Sequence, residues 1–310
     1  MRIQPSLNRR AFLATMTAMF GAASFLQSIG RSAVSPLLTR AIPKSGERLP
    51  VIGMGSSITF NVGNDRRARN SRTDVLRAFF DKGGGLIDSS PMYGSSEAVI
   101  GGGLGRLRPL SNIFSATKVW TWRAAAGPAQ MEKSRRLWGV DSFDLLQIHN
   151  LVSWEAHLET LLAMKANKRI RYIGITTSHG RRHSEFIRIM ETQPIDFVQF
   201  SYNIIDREAE RRLLPMAAER DLAVIINRPF MRGALFDRFK KHPLPPWVGE
   251  FECTNWAQFF LKFIVSNPAV TCAIPATSRI DHMRENMGAA RGRLPDQDMR
   301  ARMLRYVSNL

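Results

Sequence analysis

Gly85-Leu-Ile-Asp88-Ser-Ser-Pro-Met-Tyr93 reads as a short apolar strand that ends in a carboxylate and turns, within five residues, to a phenol. Two later runs are built the same way. Ile113-Phe-Ser-Ala-Thr-Lys118 ends in an ammonium, and Phe143-Asp-Leu-Leu-Gln-Ile-His149 ends in an imidazole. A helical pattern follows each run, so the reactive groups sit where strand gives way to helix.

Working outward, the same unit repeats. Candidate strands cover Val51–Gly55, Leu86–Ser90, Ile113–Val119, Phe143–Asn150, Tyr172–Thr177, Phe197–Asn203, Ala223–Arg228 and Val270–Ala276. They are short and apolar on both faces, as parallel strands covered on both sides are. Helical patterns lie between them at Thr73–Lys82, Ser95–Leu107, Pro128–Trp138, Trp154–Asn167, Ser184–Thr192, Glu208–Arg220 and Asn255–Ser266, and a further helix starts near Ile280. Eight alternating units predict an α/β fold, a (β/α)8 TIM barrel forming one domain over residues 36–310, since barrels of about 250 residues fold as a unit. The alternative is a doubly wound open sheet, which usually carries a Gly-x-Gly-x-x-Gly turn after its first strand. The first strand here ends in Gly53-Met54-Gly55-Ser56-Ser57, without the third glycine. Gly101-Gly102-Gly103-Leu104-Gly105 falls within a helix and reads as close helix packing.

The N-terminus is of another kind. Residues 1–44 hold six basic residues and no acid; removing them from the chain's +18 leaves +12. Asn8-Arg9-Arg10-Ala11-Phe12-Leu13 opens an apolar run to about Ile29-Gly30 and resembles a twin-arginine export signal. Residues 1–35 are read as that signal with the start of a Pro/Ser-rich linker over about 31–50. The expected partner is the twin-arginine machinery and the expected location the periplasm. The run is about long enough to span a bilayer, so membrane tethering is expected only through an uncleaved signal; a disordered cytosolic arm is the alternative. The remaining positive charge reads as a solvated basic face. No aromatic-interleaved basic stripe accompanies it, so no nucleic-acid partner is expected. Cys253 and Cys272 do not make a disulfide framework.

Asp88, Tyr93, Lys118 and His149 lie near the ends of the second, third and fourth strands. In a barrel those ends share one rim, and neighbouring strands stand about 4.8 Å apart. A lysine beside a tyrosine favours phenolate and makes the phenol a better proton donor. A buried ammonium needs a counter-charge, which Asp88 can supply. His149 can hydrogen-bond and orient a carbonyl oxygen. A proton donor aimed at a carbonyl oxygen needs hydride for the carbon, and no side chain gives hydride; a nicotinamide cofactor is the economical source.

On these residues the chain, from about Ile42 to about Pro295, resembles the aldo-keto reductases. Gly85–Glu97 is similar to their first signature, and Ala116-Thr-Lys118-Val119 and Leu145-Leu-Gln-Ile-His149-Asn150 carry the rest of the tetrad. The resemblance implies reduction of small aldehydes or ketones, Tyr93 as general acid, Lys118 and Asp88 tuning it, and His149 orienting the carbonyl. It implies NADP(H), with NAD(H) as the alternative, in an extended pose. Cofactor contacts then fall on Gly55, Ser56, Asn150, Thr176, Thr177 and Gln199, with Gln199 on the carboxamide. They continue through Asn227, Arg228, Pro229, Phe230, Arg232 and Gly233 and the closing residues Pro275, Ala276, Thr277, Arg279, Glu285 and Asn286. Three positions depart from the family pattern. Thr177 stands where an asparagine is common, Asn227 where an aromatic ring often stacks on the nicotinamide, and Ala276 where a lysine is common. Arg279 is the expected 2′-phosphate contact. A cofactor-binding sensor with little turnover is the alternative function.

Trp120 and Trp122 are candidates for the substrate wall, and packing under a loop is the equal alternative. His179 and His183 have i,i+4 spacing but no carboxylate or thiol support, so no metal is expected.

Overall fold

A computed structural model describes residues 35–108 and 112–310. The expected export signal, at residues 8–30, lies outside the described residues. Among the described residues no helix is long and apolar enough to cross a membrane.

Eight parallel strands follow one another in chain order: β3 (Met54–Gly55), β4 (Leu86–Asp88), β5 (Phe114–Val119), β6 (Phe143–Ile148), β7 (Ile170–Thr176), β8 (Phe197–Ser201), β9 (Ala223–Asn227) and β10 (Cys272–Ala273). The last returns to the first. The Gly53 N–H donates to the Ala273 carbonyl (2.9 Å), the Ala273 N–H to Val51 (2.9 Å) and the Gly55 N–H to Pro275 (3.1 Å). Those bonds close the sheet into a barrel and leave no free edge, which disposes of the open-sheet alternative.

Two layers of apolar residues explain the strand sequences. Outward-facing Ile87, Leu146, Ile148, Ile173, Ile175, Val198, Phe200, Val224 and Ile226 are buried against the helices. The inward face alternates with them at period two, and it changes character along each strand. Leu86, Phe114, Leu145, Tyr172, Phe197 and Ala223 form an apolar cluster near the strand starts. Asp88, Lys118, Gln147, Gln199 and Asn227 follow on the same faces. Gly174 belongs to this inner layer; a side chain there would meet Gln147 Cγ at 2.9 Å and Phe197 Cβ at 3.2 Å.

The stretch expected to be linker contributes to the fold. Strands β1 (Thr39–Ala41) and β2 (Arg48–Pro50) pair antiparallel, with Arg40 opposite Leu49. Ile42 and Leu49 join the inner cluster and plug the N-terminal end of the barrel. Three-residue strands containing Arg and Pro are too short to show alternation, which is why composition suggested a linker.

Helices cover the outside: α1 (Arg66–Asp81), α2 (Ser96–Leu107), α3 (Gly127–Trp138), α4 (Trp154–Ala166), α5 (His183–Thr192), α6 (Leu213–Glu219), α7 (Ala234–Phe239), α8 (Trp256–Val265), α9 (Ile280–Gly288) and α10 (Gln297–Ser308). α1 starts earlier than its apolar stripe because Asp65 caps it, accepting from the Ala68 N–H at 2.9 Å. The helix expected over 208–220 divides into a short turn, Glu208–Glu210, and α6. Pro215 lies in the first turn of α6, where its missing N–H costs nothing; inside a helix begun at 208 it would break a bond. The glycine run in α2 does pack closely. A Cβ on Gly101 would lie 1.8 Å from the Leu137 carbonyl oxygen of α3.

Candidate active site

The strand ends open into a cavity of about 670 Å³ whose lining includes Asp88, Tyr93 and His149. Lys118 lies behind it, fully buried. Its Nζ donates to Asp88 Oδ1 at 2.5 Å and to the Ser89 carbonyl at 2.8 Å. It stands 5.3 Å from the centroid of the Tyr93 ring. Two of its three hydrogens are thus committed, and the third is left for the phenol side.

Asp88 is held from both sides. Its other oxygen, Oδ2, accepts from Gln147 Nε2 (2.9 Å) and Gln199 Nε2 (3.0 Å). Gln199 Nε2 also donates to Gln147 Oε1 at 3.1 Å. A buried ion pair is tolerated when its remaining lone pairs are satisfied in this way. The sequence signal for Gln147 is its place two residues before His149 on the inward face, which by itself assigns it no role. Ser90, two residues beyond Asp88, was also missed. It accepts from the Met92 N–H at 3.2 Å and lies 2.8 Å from His149 Nδ1. Among the described residues the Ser90 hydroxyl hydrogen has no other acceptor, so we assign Nδ1 as its acceptor and the imidazole hydrogen to Nε2.

The titration shifts set the charge states. Burial, and behind it the Lys118 charge, hold His149 well below the ordinary imidazole range. The ring is therefore neutral. Burial alone would lower Lys118; the charges of Asp88 and Tyr93 outweigh it and raise the ammonium. Tyr93 corrects the expectation of a more acidic phenol. Burial raises it, the nearby Lys118 pulls it down by less, and Asp88 adds to the rise. The phenol is held protonated at neutral pH, stacked edge-on to His149 with ring centroids 5.6 Å apart.

Of the expected cofactor residues, Gly55, Ser56, Asn150, Thr176, Thr177, Gln199, Asn227, Arg228, Pro229, Phe230, Arg232, Gly233 and Ala276 line the same cavity. Asn227 is fixed by Ser201 Oγ (2.8 Å) and the Thr177 carbonyl (3.0 Å), so no aromatic face is offered there. The Thr177 hydroxyl donates to the Arg181 carbonyl at 2.6 Å. The loops after β7 and β9 also bring His179, Arg181, Arg228 and Arg232 to the cavity. Arg228 Nη1 is buried without a hydrogen-bond partner. Arg181, part of the positive charge read from the sequence as a solvated basic face, completes this cationic side.

Other expected residues stand away from the cavity. Arg279 forks onto Asp281, its Nε donating to Oδ1 at 3.0 Å, on an exposed surface. Thr277 Oγ1 accepts from the Arg279 N–H at 3.1 Å, the Pro275 carbonyl serves barrel closure, and the Glu285 carbonyl accepts from Gln258 Nε2 at 3.3 Å. Asn286 is buried in α9. Trp120 and Trp122 do not wall the cavity either. Gln130 takes the Trp120 N–H at 2.6 Å, His157 Nε2 lies 2.9 Å from the Thr121 carbonyl, and Ser153 Oγ donates to Trp122. These bonds draw the loop onto α3 and α4 and leave Trp122 75% exposed. His179 lies in a left-handed turn outside α5, so the two histidines do not share a helix face.

Known proteins resemble this chain in sequence and fold. The sequence profile of the Aldo/keto reductase family matches residues 51–246. A methylglyoxal reductase of Escherichia coli K12 is 29% identical over 246 residues, covering 77% of this chain and 84% of that protein. An aldo-keto reductase of Strobilurus tenacellus is 25% identical over 311 residues, covering 86% and 91%. Among solved structures, an aldo/keto reductase from Klebsiella pneumoniae in complex with NADP and acetate has a TM-score of 0.73 at 24% identity, covering 86% of this chain and 94% of that one. The holo form of an aldo-keto reductase from Bacillus halodurans has 0.71 at 20% identity, covering 88% and 96%. At such identities the two structures speak to the fold.

Proposed function

The chain belongs to the aldo/keto reductase family, and on that premise we propose that it reduces aldehyde or ketone carbonyls to alcohols with NADP(H). The observation that carries this reading is the buried Lys118–Asp88 pair set behind a protonated phenol and a neutral imidazole on one cavity wall.

A dinucleotide fits the cavity chemically. It carries several negative charges, and the buried, unpartnered Arg228 Nη1 with Arg181 and Arg232 beside it suits an anion. Gln199 Oε1 has only a long contact with Asn227 Nδ2, 3.4 Å, and so retains acceptor capacity for a carboxamide. When bound, the cofactor supplies hydride to the carbonyl carbon. The chain's own residues do the rest. His149 Nε2–H donates to the carbonyl oxygen and orients it. Tyr93 gives its proton to the same oxygen as negative charge builds there. Lys118 offsets the charge left on the phenolate, and Asp88, held by Gln147 and Gln199, keeps that ammonium stable in a buried place. The phenolate regains its proton from water.

NADP(H) rather than NAD(H) is the cofactor we propose; an aldo/keto reductase of the same fold from Klebsiella pneumoniae is bound to NADP. For location, the paired arginines before an apolar run support export by the twin-arginine route. Replacing Arg9 and Arg10 by lysine and fractionating cells tests this; unchanged periplasmic yield would discard it. The enzymatic reading is tested by mixing purified protein, NADPH and an aldehyde series. Alcohol should accumulate in step with NADPH loss; tight NADPH binding without alcohol formation on any carbonyl would favour a sensor.

A further inference from the structure

Glu97 is a buried carboxyl with no part in the chemistry described above. It stands in the first turn of α2 and is 2% exposed. Its Oε1 accepts from Thr117 Oγ1 at 2.6 Å and from Trp138 Nε1 at 3.2 Å, and its Oε2 accepts from Ser134 Oγ at 2.8 Å. All three donors are neutral and buried. Among the described residues no cation bonds to it. A carboxylate so placed is costly. A glutamine or a methionine would join α2 to β5 and α3 without that cost. The charge itself therefore needs a reason.

Strand β5 supplies one. Thr117 and Lys118 are neighbours on it, so their side chains leave by opposite faces. Lys118 points inward to Asp88, and Thr117 points outward to Glu97. Glu97 thus stands one strand's thickness from the ammonium, on the outer side. Burial lowers the Lys118 ammonium; Asp88, Tyr93 and, behind them, Glu97 raise it. Burial in turn raises the Glu97 carboxyl, and its three bonds and the Lys118 charge pull it back. The other charged groups nearby have partners or face elsewhere. Asp88 from β4, Tyr93 from the turn after it and the neutral His149 from the end of β6 face the ammonium from inside, and Arg232 acts on the phenol. On α3, Glu132 and Arg135 pair with each other at the surface. On α1, Arg69 and Arg72 turn to the carbonyls of Gly63 and Thr59.

We propose that Glu97 is a positioning residue for proton transfer, a second counter-charge that acts through Lys118 across β5 and keeps the first proton of the Lys118–Tyr93 pair in place at alkaline pH. This role rests on that of Tyr93 above and adds the residue that sets its upper pH limit.

The experiment has two readouts on the full chain. Tyr93 ionisation is read without cofactor, as the difference in alkaline tyrosinate absorbance between each protein and its Tyr93→Phe counterpart. The alkaline limb of NADPH-dependent hexanal reduction is recorded beside it. Glu97→Gln can keep all three bonds, since the Ser134 hydroxyl accepts as well as donates. Glu97→Met keeps none, and carries the same test should Glu97→Gln fail to fold. Glu97→Asp keeps the charge. Removing an anion eases proton release, so Glu97→Gln and Glu97→Met should both move the Tyr93 midpoint and the limb down by about half a pH unit or more, the scale of a unit charge one strand away. Glu97→Asp should leave both near the parent values. The variants then sort by charge and not by the bonds they keep, which a merely structural role would not produce. A midpoint unmoved in the two neutral variants, or moved as far in Glu97→Asp, overturns the role of Glu97 and leaves Tyr93 in place. Absence of hexanal reduction by the parent overturns the enzymatic reading and this role with it, an outcome the midpoints alone would not reveal.

Discussion

The two ends of the barrel interior are made of the same alternating strands and serve opposite ends. Near the strand starts, Leu86, Phe114, Leu145 and Phe197 meet Ile42 and Leu49 in an apolar plug. Two to four residues further along the same inward faces stand Asp88, Lys118, Gln147 and Gln199, bonded to one another. The first end gains stability from burial. The second buries charge, which costs stability unless every partner is present, and under the proposed function it gains a place for proton transfer in return. The contrast separates the layer that holds the fold together from the layer proposed to react.

That separation can be tested from either end. Lys118→Met should give the largest loss, about 3–5 kcal/mol in denaturant melts, because Asp88 is left buried and unpaired; carbonyl reduction should fall with it. Lys118→Met together with Asp88→Leu should recover much of the stability and none of the activity. Leu49→Ala, at the plug, should cost about 2–4 kcal/mol while kcat stays near the parent value. Gly101→Ala, which drives a methyl into the Leu137 carbonyl, should cost about 1–3 kcal/mol, again without changing the chemistry.

The pH dependence supplies a smaller effect. His149 is depressed below its ordinary 6.5, so its contribution is full above about that pH and is lost as pH falls toward the folded value. Melts between neutral and acid pH should show this loss, and His149→Gln should flatten it. Tyr93 is shifted upward, so its contribution is full below the ordinary phenol range and is lost as pH rises through the folded value. The reductive rate should therefore have no limb from Tyr93 near neutrality. Smallest of all, Arg77→Ala removes an exposed pair with Asp74 and should change stability by less than about 0.5 kcal/mol.

Much of this was legible in the sequence because each strand carries its signal locally. Apolar runs bounded by turns gave the eight strands, and their last residues gave Asp88, Lys118 and His149. What stayed hidden depends on residues distant in the chain. The plug strands are three residues long and gain their identity only from contact with the barrel. Ser90 and Gln147 act through partners about sixty residues away, and nothing in their own neighbourhood marks them. Trp120 and Trp122, read equally as a cavity wall or as packing under a loop, lie off the cavity because Gln130, His157 and Ser153 draw their backbone elsewhere. The sign of the Tyr93 shift is hidden in the sequence because burial, its largest cause, depends on the folded barrel and not on neighbours in the chain.

The most direct measurement is Tyr93→Phe, with NADPH affinity and hexanal turnover determined on the same preparation. The phenol as proton donor predicts turnover lower by about a thousand-fold, with the NADPH Kd unchanged within about two-fold because binding and proton transfer are separate. Turnover within ten-fold of the parent, at the same cofactor affinity, would contradict it.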